Sequence, residues 1–226
     1  MTVKIAPSLL SADFTQLGRE VERAEAGGAD ALHFDIMDGH FVPNITFGPM
    51  VVRALRPRSS LPFLVHLMIE NPDQYVESFA EAGADAVTVH QEACVHLHRV
   101  LEHIRSLGVR AGVALNPSTP LCTIEDILPS IDLLLLMTVN PGFGAQEFIP
   151  SVVPKIRRAR DMFTAAGQGD TDIEVDGGIG TDTCRTVVEA GANVLIAGNA
   201  VFAYPDGVAA AIVRIREALA GLGAGG

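Results

Sequence analysis

Glu81-Ala82-Gly83-Ala84-Asp85 has near-copies at Glu25-Ala26-Gly27-Gly28-Ala29-Asp30 and at Glu189-Ala190-Gly191-Ala192-Asn193. Each closes an amphipathic stretch and opens an apolar run. That is the place for a glycine in the left-handed conformation that ends a helix. Asp85 follows Asp30 by 55 positions and Asn193 follows it by 163, close to two and six units of about 28 residues. The copies are therefore expected before strands two, four and eight of an evenly spaced series. Working outward, strands are predicted near 3–8, 30–36, 62–68, 85–90, 110–115, 132–139, 172–176 and 193–198. Helices are predicted near 13–27, 48–56, 72–83, 94–107, 121–129, 150–167, 181–191 and 206–220. The run Leu133-Leu134-Leu135-Leu136-Met137 fits a strand covered on both faces. Even alternation of eight such pairs favours an α/β fold of the closed (β/α)8 TIM barrel type over an open doubly wound sheet. The expected organisation is one barrel over 1–220 and a flexible tail over 221–226. No Gly-x-Gly-x-x-Gly opens the first helix, which leaves a dinucleotide site without support.

The 226 residues carry 16 Lys+Arg against 27 Asp+Glu, a net charge of −11. A surface of that sign disfavours nucleic acid and anionic membranes as partners. It leaves room for a small anion, because backbone N–H groups can hold a phosphate without cationic side chains. The three cysteines, Cys94, Cys122 and Cys184, form neither a disulfide framework nor a CxxC motif. With no basic and apolar leader visible, a reducing, cytoplasmic setting is expected.

In such a barrel the chemistry sits at the C-terminal ends of the strands. The polar residues expected there are Ser8, His33, Asp35, His66, His90, Asn116, Asn140, Asp176 and Asn199. His33 and Asp35 lie two apart on a strand and share one face. His66 interrupts the apolar run Leu64-Val65-His66-Leu67-Met68, and Asp176 ends Ile173-Glu174-Val175-Asp176. Unpaired buried polar groups are costly, so two His and two Asp converging from three strands make a candidate site for one divalent metal ion. That donor set suits Zn²⁺ or Fe²⁺ and is compatible with Mn²⁺ or Co²⁺. Gly142-Phe143-Gly144, Gly177-Gly178 and Gly198-Asn199 follow strands six, seven and eight, where barrels commonly bind phosphate. The two lysines, Lys4 and Lys155, are expected away from the strand ends, which disfavours Schiff-base chemistry. Met37, Met68 and Met137 near strand ends read either as packing or as a soft apolar cap over reacting atoms. His96, His98 and His103, and Arg157, Arg158 and Arg160, read as solvated helix faces.

At these residues the chain closely resembles the D-ribulose-5-phosphate 3-epimerase family. The matching segments are IAPSLLSADF (5–14), HFDIMDGHFVPNITFG (33–48), VHLMIENP (65–72), LNPSTP (115–120), MTVNPGFGAQEFIP (137–150), IEVDGGI (173–179) and AGNAVF (197–202). They span nearly the whole chain. The resemblance implies that His33, Asp35, His66 and Asp176 ligate the metal and that Asp35 and Asp176 are the paired acid/base carboxylates. It implies substrate contacts from Ser8 and His66, and from Met37, Met68 and Met137 over the reacting carbons. Gly142, Phe143 and Gly144 match a loop that closes on substrate. Gly177, Gly178, Gly198 and Asn199 match the phosphate-binding turns, with Asn199 standing where the family commonly has Ser. The implied partner is a small-molecule sugar phosphate, and the implied assembly a homo-oligomer.

Inverting C3 of a 2-ketose requires a proton to leave next to the C2 carbonyl and another to arrive on the opposite face. Two carboxylates, Asp35 and Asp176, would serve the two faces, with the metal stabilising the cis-enediolate. An epimerase acting on allulose 6-phosphate, a metal-dependent sugar-phosphate aldolase and a non-catalytic sugar-phosphate binding barrel are the alternatives. The phosphate is expected to be held by glycine-rich amides, with no cationic side chain.

Overall fold

The computed structural model describes residues 2–222. Of the tail predicted for 221–226, positions 223–226 lie outside the described residues. Eight parallel strands form one sheet: β1 (Lys4–Pro7), β2 (Leu32–Met37), β3 (Phe63–Met68), β4 (Ala86–His90), β5 (Arg110–Leu115), β6 (Leu133–Met137), β7 (Asp172–Asp176) and β8 (Val194–Ala197). Along β2 to β8 each strand pairs with its neighbour in sequence, and β8 pairs with β1 from Lys4↔Val194 to Pro7↔Ala197. Between β1 and β2 the closure thins to a single bridge, Ser8↔His33, and a bond from Asp30 N to Ile5 O of 2.9 Å. The helices are α1 (Leu17–Ala26), α2 (Pro49–Leu55), α3 (Val76–Glu81), α4 (Leu97–Ser106), α5 (Val153–Ala165), α6 (Cys184–Glu189), α7 (Asn199–Phe202) and α8 (Val208–Ala218). The chain is a (β/α)8 barrel, as the alternation implied.

Period-two alternation divides the strands between two cores. Phe34 and Ile36, Val65 and Leu67, Leu134 and Leu136, and Ile173 and Val175 face outward to the helices. Val100, Leu101 and Ile104 of α4 and Ile156, Ala159 and Phe163 of α5 meet them at helical spacing. Leu64, Ala86, Ala114, Leu133, Leu135, Val194 and Ile196 fill the barrel itself. Polar inward positions gather toward the two ends. At the N-terminal end Asp172 accepts from Lys4 Nζ (2.9 Å), Arg110 Nη2 (2.7 Å) and Asn193 Nδ2 (2.7 Å).

The repeated segments have a common task. Asp30, Asp85 and Asn193 precede β2, β4 and β8, as their spacing requires. Their side-chain oxygens accept from the backbone of the preceding strand: Ile5 N (2.7 Å), Phe63 N (2.8 Å) and Ile173 N (2.7 Å). Asp132 does the same before β6, accepting from Ala111 N at 2.8 Å. An arginine braces each of the three copied turns: Arg216 on Gly28 O, Arg56 on Gly83 O and Arg160 on Gly191 O. Gly28, Gly83 and Gly191 all have positive φ, the left-handed geometry that glycine adopts without a Cβ penalty.

The helix predicted near 121–129 is not an α-helix. Two 3₁₀ segments, Leu121–Thr123 and Glu125–Ser130, take its place. Pro129 lacks the N–H that a continuing helix needs, and Ile127 leaves helical geometry at φ −123°, ψ 16°. Among the described residues the three cysteines are free, and no helix is long and apolar enough to cross a membrane.

The strand-start bonds predict a graded cost. Asn193 is buried and serves Ile173 N–H and Asp172 at once, so Asn193→Ala should lower stability by about 1–3 kcal/mol. The Asp85 side chain is half exposed, and Asp85→Ala should cost less. Urea unfolding of the two variants gives the comparison, and an unchanged midpoint for Asn193→Ala would contradict the assignment.

Candidate active site and metal centre

Inward positions of three strands converge at the C-terminal end. His33 and Asp35 come from β2, His66 from β3 and Asp176 from the last residue of β7. One ligand atom from each lies within 4.8 Å of the others. Asp35 is the hub: its Oδ1 is 3.1 Å from His66 Nδ1 and 3.3 Å from His33 Nε2, and its Oδ2 accepts from Ser8 Oγ at 2.5 Å. His33, Asp35 and His66 are buried, and neither ring nitrogen of His33 has a hydrogen-bond partner among the described residues. A buried, unpartnered imidazole beside two carboxylates is the setting a cation completes. Two nitrogens and two carboxylate oxygens fit a divalent ion, and the donor set alone does not choose which.

The electrostatics of the four are strongly coupled. Burial works against a charged imidazolium at His33, but Asp35, Asp176 and Glu174 outweigh it and hold the group up to about 9. Burial opposes ionisation of Asp35, yet His33 and His66 keep its carboxyl well below the usual range. Asp176 is pushed up, first by burial and then by the Asp35 carboxylate. Burial takes His66 down to about 4. Two carboxyl groups of one cluster are thus driven in opposite directions.

Above the cluster opens a cavity of about 510 Å³, within the range of small-molecule sites. Ser8, Asp35 and Asp176 lie on its wall, with Met37, Met68 and Met137. So do Gly142, Phe143 and Gly144 after β6, Gly177 and Gly178 after β7, and Gly198 and Asn199 after β8. Gly178 has φ +64°, and a Cβ there would stand 2.6 Å from Phe148 N, so only glycine fits this turn. His33 and His66 are not on the wall. They lie beneath it, His66 with Asp35 on one nitrogen and His90 on the other.

Two placements depart from the sequence reading, and a third residue, His90, ends β4 as expected but makes a contact the sequence does not show. Arg214, which the sequence pattern does not single out, comes from α8 to the same wall, together with Thr183 and Tyr204. Lys155 does come to the C-terminal end of β5, where its Nζ donates to Asn116 O and Thr119 O at 2.8 Å each. It is engaged there and does not line the cavity. His90 contacts His66 at 2.9 Å. Its position on β4, two after inward-facing Thr88, is the available signal. His96, His98 and His103 are exposed, as expected.

The family model described as "Ribulose-phosphate 3 epimerase family" matches residues 4–202. A ribulose-phosphate 3-epimerase of Bacillus subtilis is 57% identical over 204 residues, covering 90% of this chain and 94% of that protein. One from Synechocystis is 54% identical over 217 residues, covering 95% and 94%. Among solved structures, KGPDC from Streptococcus mutans superposes with a TM-score of 0.72 at 14% identity, covering 97% of this chain and 98% of that one. A likeness at that identity concerns the barrel alone. At more than half of all aligned positions shared with two curated epimerases, and with the family pattern running from the first strand to the short helix after the last, the chain belongs to the ribulose-phosphate 3-epimerase family.

Proposed function

We propose that this chain interconverts D-ribulose 5-phosphate and D-xylulose 5-phosphate by moving protons at C3 with Asp35 and Asp176. The observation that carries the assignment is the pair of carboxyl groups, from strands three places apart round the ring, on the wall of one cavity and in opposite protonation tendencies. Asp35 is driven toward the carboxylate, the form that accepts a proton, and Asp176 is pushed up to about 7, toward the acid that gives one. In the reverse direction the roles exchange, because each group ends a turnover in the state in which the other began it.

His33, Asp35, His66 and Asp176 would hold the divalent cation, with Zn²⁺ or Fe²⁺ the best match to the donors. Bound there, it would supply Lewis-acid stabilisation of negative charge on the substrate oxygens at C2 and C3. Ser8 orients Asp35 through its hydrogen bond. Met37, Met68 and Met137 present soft apolar surface to the reacting carbons and exclude water from the proton-transfer path. The phosphate would lie among Gly177, Gly178, Gly198 and Asn199, where close backbone approach is available, with Arg214 adding a cation at the rim. Phe143, 55% exposed at the mouth, would close over the substrate with Gly142 and Gly144.

A coupled assay on ribulose 5-phosphate, with metal analysis of the same sample, tests the substrate. Turnover of allulose 6-phosphate alone would overturn it. Asp176→Asn should lower kcat by about 10²–10⁴-fold with the circular dichroism unchanged; near-normal turnover would sink the two-carboxylate mechanism. The metal centre makes its own prediction. His33, held up to about 9, must lose a proton to become a ligand. Below that value protons compete with the ion at His33, and below about 7 at Asp176 as well, so the Zn²⁺ affinity of the metal-free protein should rise with pH by about tenfold per unit between roughly pH 7 and 8 and more steeply below 7. Chelator competition measures it, and a flat profile would contradict the assignment of His33.

A further inference from the structure

Behind His66 a chain of hydrogen bonds runs away from the cavity across β4 and β5. His66 Nε2 lies 2.9 Å from His90 Nε2, and His90 Nδ1 lies 3.1 Å from Glu92 Oε2. Both imidazoles are fully buried. The other oxygen of Glu92 accepts from Asn116 N at 2.8 Å and from the Thr119 hydroxyl. Lys155 then holds the Asn116 and Thr119 carbonyls from the far side. Phe41 packs against His90 with ring centroids 4.7 Å apart and the planes tilted by 45°.

We propose that His90 and Glu92 are positioning residues that fix the proton of His66 on Nε2 and so leave Nδ1, the nitrogen facing Asp35, free to ligate the metal. The argument is one of donors and acceptors. Glu92 is an acceptor only, held ionised near 2 because bonds from His90, Thr119 and Asn116 outweigh its burial. His90 must therefore present N–H at Nδ1. A metal ligand at His66 Nδ1 needs the ring proton on Nε2, which makes His90 Nε2 the acceptor across the 2.9 Å contact. Two ring nitrogens at 2.9 Å share one proton, so that proton belongs to His66 Nε2. His66 Nδ1 is left with its lone pair toward Asp35 Oδ1, an arrangement that a cation between them stabilises. Metal-bound histidines generally donate their second N–H to an acceptor that sets ring and tautomer. Here a second histidine is that acceptor, and a carboxylate on the next loop orients it in turn.

The inference rests on the metal-centre reading of the four residues and can fail separately from it. Glu92→Gln is the informative variant. Its one amide oxygen is claimed by the fixed N–H of Asn116, which turns the NH₂ toward His90 Nδ1. His90 then protonates on Nε2 and opposes the N–H of His66. The Zn²⁺ affinity of Glu92→Gln should fall by about 10–100-fold, and that of His90→Phe similarly. His90→Gln keeps an acceptor for His66 and should recover most of the loss. Nitrogen-15 NMR of the Zn²⁺-loaded wild type should show protons on His66 Nε2 and His90 Nδ1. Affinities within about threefold of wild type in folded Glu92→Gln and His90→Phe would overturn the proposal, being well short of the loss that removing such a partner causes. So would a His90 proton on Nε2 in the wild type, which decides the matter even where the variants fail to fold. A wild type that binds no Zn²⁺ would remove the metal-centre reading itself.

Discussion

The ionised carboxylate of Asp35, buried at the C-terminal end of the barrel, constrains everything around it. Taking a lone carboxylate out of water costs several kcal/mol unless charges and hydrogen bonds compensate. Here Ser8 donates from the end of β1, and the cation that Asp35 would share with His33 on the same strand and His66 on β3 would supply the opposing charge. The β1–β2 closure is the weakest of the ring, one bridge between Ser8 and His33. The residues that satisfy Asp35 therefore also span that seam. Site and closure depend on one another, because the strands that hold the carboxylate are the ones it draws together.

The opposite end of the barrel shows what a purely structural charge cluster looks like. Asp172 is buried, as Asp35 is, yet Lys4, Arg110 and Asn193 meet it with four good hydrogen bonds. Nothing is left over. At the other end both nitrogens of His33 go unmatched, and Asp176 is pushed away from ionisation by its neighbour. Burial is common to both ends, so burial does not separate function from structure. Between these two clusters incomplete hydrogen bonding does, because unmet donors and acceptors are what a ligand can still satisfy.

The fold is legible in the sequence because its signals are local. A helix-closing glycine followed by Asp or Asn recurs at multiples of two units, and the structure shows why: alternate turns each cap the start of the strand before them. The fourth member, Asp132, is hidden because Leu128-Pro129-Ser130-Ile131 replaces the Glu-Ala-Gly-Ala pattern. The same Pro129 breaks the helix expected there. His33, Asp35, His66 and Asp176 stand out as polar residues on apolar strands. What their strand positions do not tell is depth. His66 lies below the cavity floor, because His90 on β4 and Asp35 on β2 hold its ring between them. Lys155 and Arg214 are equally hidden, since a long side chain on a helix can reach a strand end that its backbone position does not suggest.

The distribution of arginine explains how a chain of net charge −11 comes to serve a phosphorylated sugar with so few cations near the site. Arg56, Arg160 and Arg216 are engaged at the helix-to-strand turns of the N-terminal face, each on a glycine carbonyl and on the adjoining Asp85, Asn193 or Asp30. Lys4 and Arg110 are held by Asp172 on that same face. Cations are thus drawn to the end that the fold needs for stability. At the other end Lys155 is engaged by the Asn116 and Thr119 carbonyls, which leaves the cavity wall with glycine-rich turns and Arg214, itself 3.6 Å from Glu217. Recognition of the anion must then depend on backbone geometry. At Gly178 the positive φ and the approach to Phe148 N already exclude a side chain, so packing alone demands glycine there, and the same bare backbone is what the proposed phosphate contact would need.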